Sequence, residues 1–317
     1  EALRLGMHDV SVVQLSRRPG TKYAFNPVHL LLLVAIIEKV SGQYYSDYMD
    51  AAIFTPLGMN KTAANYTDAV RDGYAPGYVS WFGYPVKSKG FYDHAGAPYG
   101  YTSSTSSDLA KFLLFMLEGG ELLSDQNREL LTAHSDNSRT YGFGWHFSKT
   151  DGFPFHGGAT PDFRGEMFFV PEKEYAAVLL TNKYHQTEDA QLFHIREGIR
   201  SIMNGEKPDT LPSQGYGVQW ALLIINMLFA ILAVYRFLRT RKSLAKKRSF
   251  LSATLFCSAA IGLIPLFVYF LQTPWGSITL FAPDIALLFY SLLVILLING
   301  VIPFIGNAVK KKQTFQS

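Results

Sequence analysis

The chain has 317 residues, 48% of them hydrophobic, and a formal net charge of +4 that is unevenly distributed. From Gly215 onward there are ten Lys/Arg residues and one acid, whereas residues 1–214 carry 19 basic and 24 acidic residues. The basic excess therefore belongs to the tail, which favours a membrane-topology signal over nucleic-acid binding. The single cysteine, Cys257, excludes an internal disulfide framework and a cysteine-based metal site, and the eight histidines lack metal-binding spacing. We expect neither a metal ion nor a cofactor.

The first predicted element is a helix over Pro27–Val40. Asn26 suits the N-cap, a proline suits the first helical position, and Ser41-Gly42 ends the pattern. The apolar run of about 14 residues has the length of a buried helix, since a membrane span needs roughly 20. We therefore expect a core helix that is covered around nearly its whole circumference.

More helices and a long irregular region follow. A short helix is predicted over Ser46–Phe54, and residues 66–101 show no sustained period, which is typical of loops that shape a binding cleft. The segment from Thr105 to Asp108 has the pattern of a capping box that opens the helix DLAKFLLFMLEGG. Ser124 caps a further short helix, DQNRELLTA.

Strand-like segments come next, in the order YGFGWHF, FPFHGG, GEMFFV and EYAAVLLTN. The last two flank Pro171–Glu174, which predicts an antiparallel hairpin. A helix is predicted over His185–Met203. Helices combined with antiparallel strands indicate an α+β fold for a domain over residues 1–205, followed by a linker over 206–217.

Three later runs are long and apolar enough to cross a bilayer, and together they form a predicted transmembrane region over residues 218–312. The spans are expected at about 218–237, 250–271 and 282–305. Asp284 lies near the outer end of the third run, where we expect it to be solvated at the membrane interface.

The loops between these runs predict their orientation. Arg236–Arg248 contains seven basic residues and no acid, the tail carries Lys310, Lys311 and Lys312, and the intervening loop QTPWGS is uncharged. Short loops rich in Lys/Arg stay cytoplasmic. We therefore predict a multi-pass protein of the cell membrane whose residues 1–214 are extracytoplasmic, while the loop Arg236–Arg248 and the C-terminus are cytoplasmic. The lipid bilayer is a predicted partner, and nucleic acid is not.

Several phrases of the first half resemble one family. These are PGTKYAF, AIIEKVSGQYYSDYMDAAIFTPLGMNKT, SSTSSDLAKFLLFMLEGGELLS, YGFGWHF and FHGGATPDFRGEMFFVPEKEYAAVLLTN. In this order, across about residues 19–182, they are similar to the β-lactamase-related serine hydrolases: class C β-lactamases, penicillin-binding proteins and D-alanyl-D-alanine carboxypeptidases. The resemblance implies a partial β-lactamase/transpeptidase-like domain, an antiparallel sheet packed with helices, placed before the three transmembrane helices.

The resemblance also implies a catalytic site. A serine of a Ser-x-x-Lys motif attacks a carbonyl, a Tyr-x-Asn motif assists proton transfer, and a Lys-Thr-Gly or His-x-Gly strand lines the opposite wall, because a hydroxyl needs a base and the oxyanion needs fixed donors. His156 with Gly157 and Gly158 matches the strand motif. The backbone N–H of Ala159 takes the position of the family's oxyanion donor.

The other two motifs depart from the family pattern. An ungapped match places Phe25 at the tyrosine position and Pro27 at the amide position, while Tyr23 lies two residues away and out of register. The chain's one Ser-x-x-Lys begins at Ser243, in the basic loop beyond the resemblance, and is interpreted as chance. The family's serine motif would lie before Glu1.

We therefore interpret the chain as a C-terminal fragment of a membrane-anchored, β-lactamase-like serine hydrolase of the cell envelope. Its substrates would be acyl, peptide or β-lactam compounds, such as peptidoglycan-type stem peptides. The chain as given is predicted to be inactive, because it lacks the Ser-x-x-Lys nucleophile. The alternative is a catalytically inactive pseudoenzyme, favoured by Phe25 and Pro27, that serves as an extracytoplasmic ligand-binding or sensor module.

Overall fold

The computed structural model describes residues 18, 25–133, 141–149, 151–212, 215–240 and 246–314, without the side chains of 240, 246–249 and 305–314. These residues fall into two compact units. The first contains the described residues up to Tyr78 together with those of Lys87–Tyr184 and Asp189–Pro212. The second contains Val79–Val86, His185–Glu188 and the described residues from 215 onward.

The helices of the first unit are separated by tight turns and irregular segments. They are α1 (Pro27–Ser41), α2 (Tyr45–Met49, continued by a π-helical turn over Asp50–Phe54), α3 (Tyr66–Arg71), α4 (Ser106–Glu118), α5 (Asp125–Thr132) and α6 (Asp189–Met203). The region predicted to be an irregular loop thus contains α3, as well as two strands that belong largely to the second unit.

Helix α1 begins and ends as the sequence predicts. The side chain of Asn26 accepts a hydrogen bond from the Val28 N–H at 3.0 Å, and Gly42, at φ +72°, closes the helix by donating to the Glu38 carbonyl. The expectation of full coverage is wrong, because Val40 is 82% exposed and Val34 is the helix's buried residue. Local sequence determines the caps, but coverage depends on which other elements pack against the helix.

A four-stranded antiparallel sheet, whose strands lie side by side in chain order, forms the centre of the first unit. Its strands are β3 (His146–Phe147), β4 (Pro154–Thr160), β5 (Phe163–Val170) and β6 (Tyr175–Thr181). Strands β5 and β6 are joined through Pro171–Lys173 and Glu174, which adopts φ +53°. The predicted hairpin is confirmed, and a two-residue strand β7 (Lys183–Tyr184) follows it.

Helices cover both faces of this sheet. Helix α4 supplies three of the buried side chains of one hydrophobic cluster, which also contains Phe169 of β5 and Trp145. Met167 packs against this cluster. On the alternate strand positions, Phe168 and Tyr175 form a second cluster against Ile199 of α6. Because successive strand residues point to opposite faces, the residue at each position of β4 is directed either toward α4 or toward α6.

The second unit contains two neighbouring strands, β1 (Tyr78–Trp81) and β2 (Tyr84–Lys87), the first residue of β1 and the last of β2 lying in the first unit. It also contains the helices α7 (Gly217–Thr240), α8 (Lys246–Leu271), α9 (Trp275–Phe281) and α10 (Pro283–Thr314). By length and composition, α7, α8 and α10 contain segments able to cross a membrane, as the sequence predicts. The short helix α9 was not predicted, because its seven residues carry no distinguishing period.

The second unit also contains a buried polar pair at the start of α10. Asp284 is 1% exposed, so the expectation that it is solvated is wrong. One carboxylate oxygen lies 2.8 Å from Nε2 of His185, which is equally buried, and the other accepts from the Phe82 N–H at 3.0 Å. The carboxylate therefore connects three segments that lie far apart in the sequence, which no local pattern could reveal.

Candidate active site

Strand β4 brings together the residues that the sequence analysis places on one wall of the site. His156 is opposite Met167 of β5, and Gly158 is opposite Gly165. Because Met167 packs on the α4 cluster, His156 and Gly158 are directed to the α4 face and Gly157 to the α6 face.

The ring of His156 has a defined orientation. Its Nδ1 lies 2.6 Å from the carbonyl oxygen of Gly144. A carbonyl can only accept, so we assign the proton of the neutral ring to Nδ1, which leaves Nε2 as the nitrogen with a free lone pair. The ring of His146 lies beside it with 5.9 Å between centroids. His156 can therefore accept a hydrogen bond through Nε2.

The two glycines of the motif have opposite surroundings. A Cβ built on Gly157 would lie 2.4 Å from Oε1 of Glu166 and 2.7 Å from Nη1 of Arg164, whereas a Cβ on Gly158 would meet nothing within 4 Å. The side of Gly157 is thus filled by charged groups, and the side of Gly158 is open. A ligand can approach the backbone closely at Gly158 because no side chain stands there.

In the part of the chain that the structure describes, one edge of β4 has no paired strand over most of its length. The short strand β3 pairs only with Pro154 and Phe155, while β5 pairs with Phe155 through Thr160. Among the described residues, no strand pairs with β4 on the side opposite β5 from His156 onward. Ala159 lies on this stretch and is exposed. The backbone there can pair with an extended ligand in the manner of an added strand.

A charged network that sequence analysis missed lies behind the strand. Glu166 is 6% exposed and receives hydrogen bonds from Arg164 and from Arg196 of α6, the latter at 3.3 Å. Arg196 also lies over the ring of Phe155, 4.2 Å from its centroid. The sequence signal that could have found it is the alternate spacing of Arg164, just before the predicted strand GEMFFV, and Glu166 on it. The observed strand begins at Phe163, which places both residues on the same face. The network holds the α6 face of β4 through paired, hydrogen-bonded charges.

The predicted tyrosine position is occupied by a residue without acid–base chemistry. Phe25 is 63% exposed, and Asn26 uses its side chain to cap α1. Tyr23 lies outside the described residues. Elsewhere in the first unit, burial raises the pKa of Tyr74 and of Tyr92 to about 12, so neither phenol is poised to act as a base near neutral pH.

Comparison with known proteins identifies the architecture. A family model described as Beta-lactamase matches residues 6–198, more than half of the chain. The chain belongs to the β-lactamase family. The octameric penicillin-binding protein homologue from Pyrococcus abyssi has a similar fold, with a TM-score of 0.51 at 24% identity over 62% of this chain and 45% of that chain. The fold is thus β-lactamase/transpeptidase-like, followed by three long apolar helices.

Two curated relatives of this β-lactamase-family chain show how much of a longer protein it matches. Protein flp from Staphylococcus aureus strain NCTC 8325 is 24% identical over 237 residues, covering 73% of this chain and 47% of that protein. A putative D-alanyl-D-alanine carboxypeptidase from Escherichia coli O157:H7 is 26% identical over 209 residues, covering 54% and 47%. The chain spans about half the length of these relatives.

The described residues contain no group of three His, Cys, Asp or Glu side chains that could hold a metal ion. What they offer chemically is an exposed strand edge, an oriented imidazole and an open glycine position. The sequence resemblance implies that a strand with this motif lines one wall of the catalytic site. The assignment of His156, Gly157, Gly158, Ala159 and Phe25 to that site stays a prediction.

Proposed function

We propose that this chain is part of a β-lactamase-like serine hydrolase of the cell envelope. It provides the strand edge that binds the substrate and the helices that anchor the protein in the membrane. Its ligands are acyl compounds with an extended peptide-like backbone, such as stem peptides that end in D-alanine, or β-lactams. The observation that carries the proposal is the exposed edge of β4, where His156, Gly158 and Ala159 lie beside an open backbone. The relative from Escherichia coli O157:H7 is a putative D-alanyl-D-alanine carboxypeptidase, which is consistent with this substrate class.

The proposed binding mode follows from the geometry of the strand. An extended peptide adds to the free edge of β4 and forms main-chain hydrogen bonds. The Ala159 N–H donates to the ligand's reacting carbonyl, as the family resemblance implies. Nε2 of His156 accepts from a polar group of the ligand, since its other nitrogen is engaged by Gly144. The open space at Gly158 admits the ligand backbone.

We expect residues 1–317 by themselves to bind such ligands without forming a covalent bond. Residues 1–214 contain no Ser-x-x-Lys motif, and an unactivated hydroxyl is a poor nucleophile. Purified in detergent and incubated with a fluorescent penicillin, the chain should show no covalent label by gel fluorescence and intact-mass analysis. A penicilloyl adduct mapped to any residue of 1–214 would contradict this expectation.

A pseudoenzyme is the second candidate, favoured specifically by Phe25. The residue at the family's tyrosine position has no hydroxyl, and its exposed ring makes no acid–base contact in the described structure. In this alternative the same edge of β4 binds a ligand, and the protein acts as a ligand-binding or sensor module without catalysis. If a longer form of the protein supplies Ser-x-x-Lys, turnover of an ester substrate by that form would exclude the pseudoenzyme.

We also propose that residues 1–214 face the outside and that the loop 236–248 faces the cytoplasm. The support is the Lys/Arg content of that loop and of the tail, beside an uncharged loop at the opposite end of the spans. In a Cys257→Ser background, an impermeant thiol reagent applied to intact cells should label Ser148→Cys and leave Ser243→Cys unlabelled. The reverse pattern would overturn this orientation.

A further inference from the structure

We propose that Arg164 is a positioning residue that orients and polarises the peptide group between Gly158 and Ala159, so that the Ala159 N–H becomes a fixed and strengthened donor. This inference rests on the proposed function, because it assigns a task at the same edge of β4. Arg164 touches no ligand in this account and acts only through the backbone.

The contacts of the guanidinium carry the inference. Its Nη1 donates to the carbonyl oxygen of Gly158 at 3.0 Å and to that of Gly165 at 2.5 Å. Gly158 and Gly165 are directly opposed in the β4–β5 register. One nitrogen can reach both oxygens only if both carbonyls point into the space between these two strands. The Gly158 carbonyl is therefore directed toward β5.

The opposite end of the same peptide group faces the free edge. The structure has no cis peptide bonds among its described residues. In a trans peptide, the C=O and the following N–H point in opposite directions. Since the Gly158 carbonyl points toward β5, the Ala159 N–H points away from it, toward the edge of β4 that no strand occupies from His156 onward in the described structure. The Arg164 guanidinium thus binds the carbonyl end of this peptide group, and the Ala159 N–H lies at its opposite end.

The guanidinium is held in place independently of this amide. Its Nε donates to Asp189 of α6 at 2.9 Å, its Nη2 donates to Glu166, and the side chain is 13% exposed. Burial lowers the pKa of Arg164, but the hydrogen bond to Asp189 and the charges of Glu166 and Asp189 outweigh burial and raise it overall. Arg164 therefore stays charged at every accessible pH.

A charged donor changes the amide that it binds. Charge-assisted hydrogen bonds are roughly twice as strong as neutral ones, and chains of hydrogen bonds polarise one another. A peptide carbonyl that accepts a hydrogen bond from a cation withdraws electron density from the N–H of the same peptide group. That N–H therefore becomes a better hydrogen-bond donor. Pairing with the charge of Glu166 is not a sufficient role for Arg164, because Arg196 already pairs with that carboxylate. The contact with the Gly158 carbonyl is the additional feature.

The sequence provides an internal control for a direct test. The dipeptide Gly-Ala occurs twice, at Gly96-Ala97 and at Gly158-Ala159. The full chain in detergent micelles, labelled with carbonyl-13C glycine and 15N alanine, will show only these two amides in a carbonyl-edited NMR spectrum. In Arg164→Gln, the Gly158 carbonyl and Ala159 nitrogen signals should both move to lower frequency while Ala97 stays in place. Arg164→Lys, which retains a charge, should show a smaller shift.

Ligand titration separates this inference from the proposed function. With an N-acylated D-alanyl-D-alanine dipeptide, the Ala159 signal of the wild type should move. Arg164→Gln should bind up to about threefold more weakly, because the Ala159 N–H stays in place but contributes only part of its hydrogen-bond strength. Unchanged Ala159 signals in ligand-free Arg164→Gln would overturn the inference. If the Ala159 signal shifts in ligand-free Arg164→Gln but the wild type does not respond to the dipeptide, the inference about Arg164 is supported and the proposed function is overturned.

A second variant covers the case in which Arg164→Gln misfolds, which a displaced Ala97 signal would reveal. Asp189→Asn removes a partner that is 48% exposed and loosens the guanidinium without emptying its position. It should move the Ala159 signal in the same direction by a smaller amount, with Ala97 unchanged. No movement of Ala159 in this variant would overturn the inference.

Discussion

Gly157→Ala is expected to destabilise the first unit by about 1–3 kcal/mol, the range typical of overpacking a filled site. The added Cβ would lie 2.4 Å from Oε1 of Glu166, a contact that real Cβ atoms do not make. Glu166 cannot withdraw freely, because Arg164 and Arg196 both hold its carboxylate. Thermal unfolding followed by circular dichroism in detergent will measure the loss.

Gly158→Ala is the matched control, one residue along the same strand. A Cβ there meets nothing within 4 Å, so the unfolding temperature should remain close to that of the wild type. Equal losses for the two variants would show that the strand tolerates no side chain at either position. That result would contradict the assignment of a filled face to Gly157 and an open face to Gly158.

Asp284→Ala is expected to have a comparable effect on the second unit. It would leave the His185 ring and the Phe82 N–H buried without their acceptor, at about 1–3 kcal/mol for each unsatisfied group. The ring of Phe82 lies 5.2 Å from that of Trp220, so tryptophan fluorescence can follow the release of this segment during denaturation.

Asp284→Asn provides the control, because it keeps one acceptor oxygen in a side chain of nearly the same shape. It should cost clearly less than Asp284→Ala. If the alanine variant unfolds at the same denaturant concentration as the wild type, the carboxylate does not stabilise the unit.

Local sequence signals predicted the elements whose ends are determined by neighbouring residues. The caps at Asn26 and Thr105, the hairpin around Pro171–Glu174 and the three apolar runs all appear where the sequence places them. Thr105 accepts from the Asp108 N–H as a capping residue should. The Asp108 carboxylate, however, binds the Lys61 N–H at 2.6 Å, so half of the predicted capping box is used for a long-range contact.

The features that sequence could not supply all depend on contacts between distant segments. His185 and Asp284 are 99 positions apart, and Arg196 reaches Glu166 from a different element. The exposure of α1 was likewise invisible, because the apolar pattern predicts a helix but not the elements that cover it. For the site, the motif identified the strand, whereas the free edge and the two faces of the glycines required the sheet register.

In the proposed function, an acyl-peptide ligand pairs non-covalently with the free edge of β4. Hydrogen–deuterium exchange of the full chain, with and without an N-acylated D-alanyl-D-alanine dipeptide, tests it most directly. We expect slower exchange in peptides that cover His156–Thr160 and no change in those that cover β6. The effect should be lost in Gly158→Val, whose side chain fills the open face. Unchanged exchange in β4 at saturating dipeptide, or protection confined to another part of the chain, would contradict the claim.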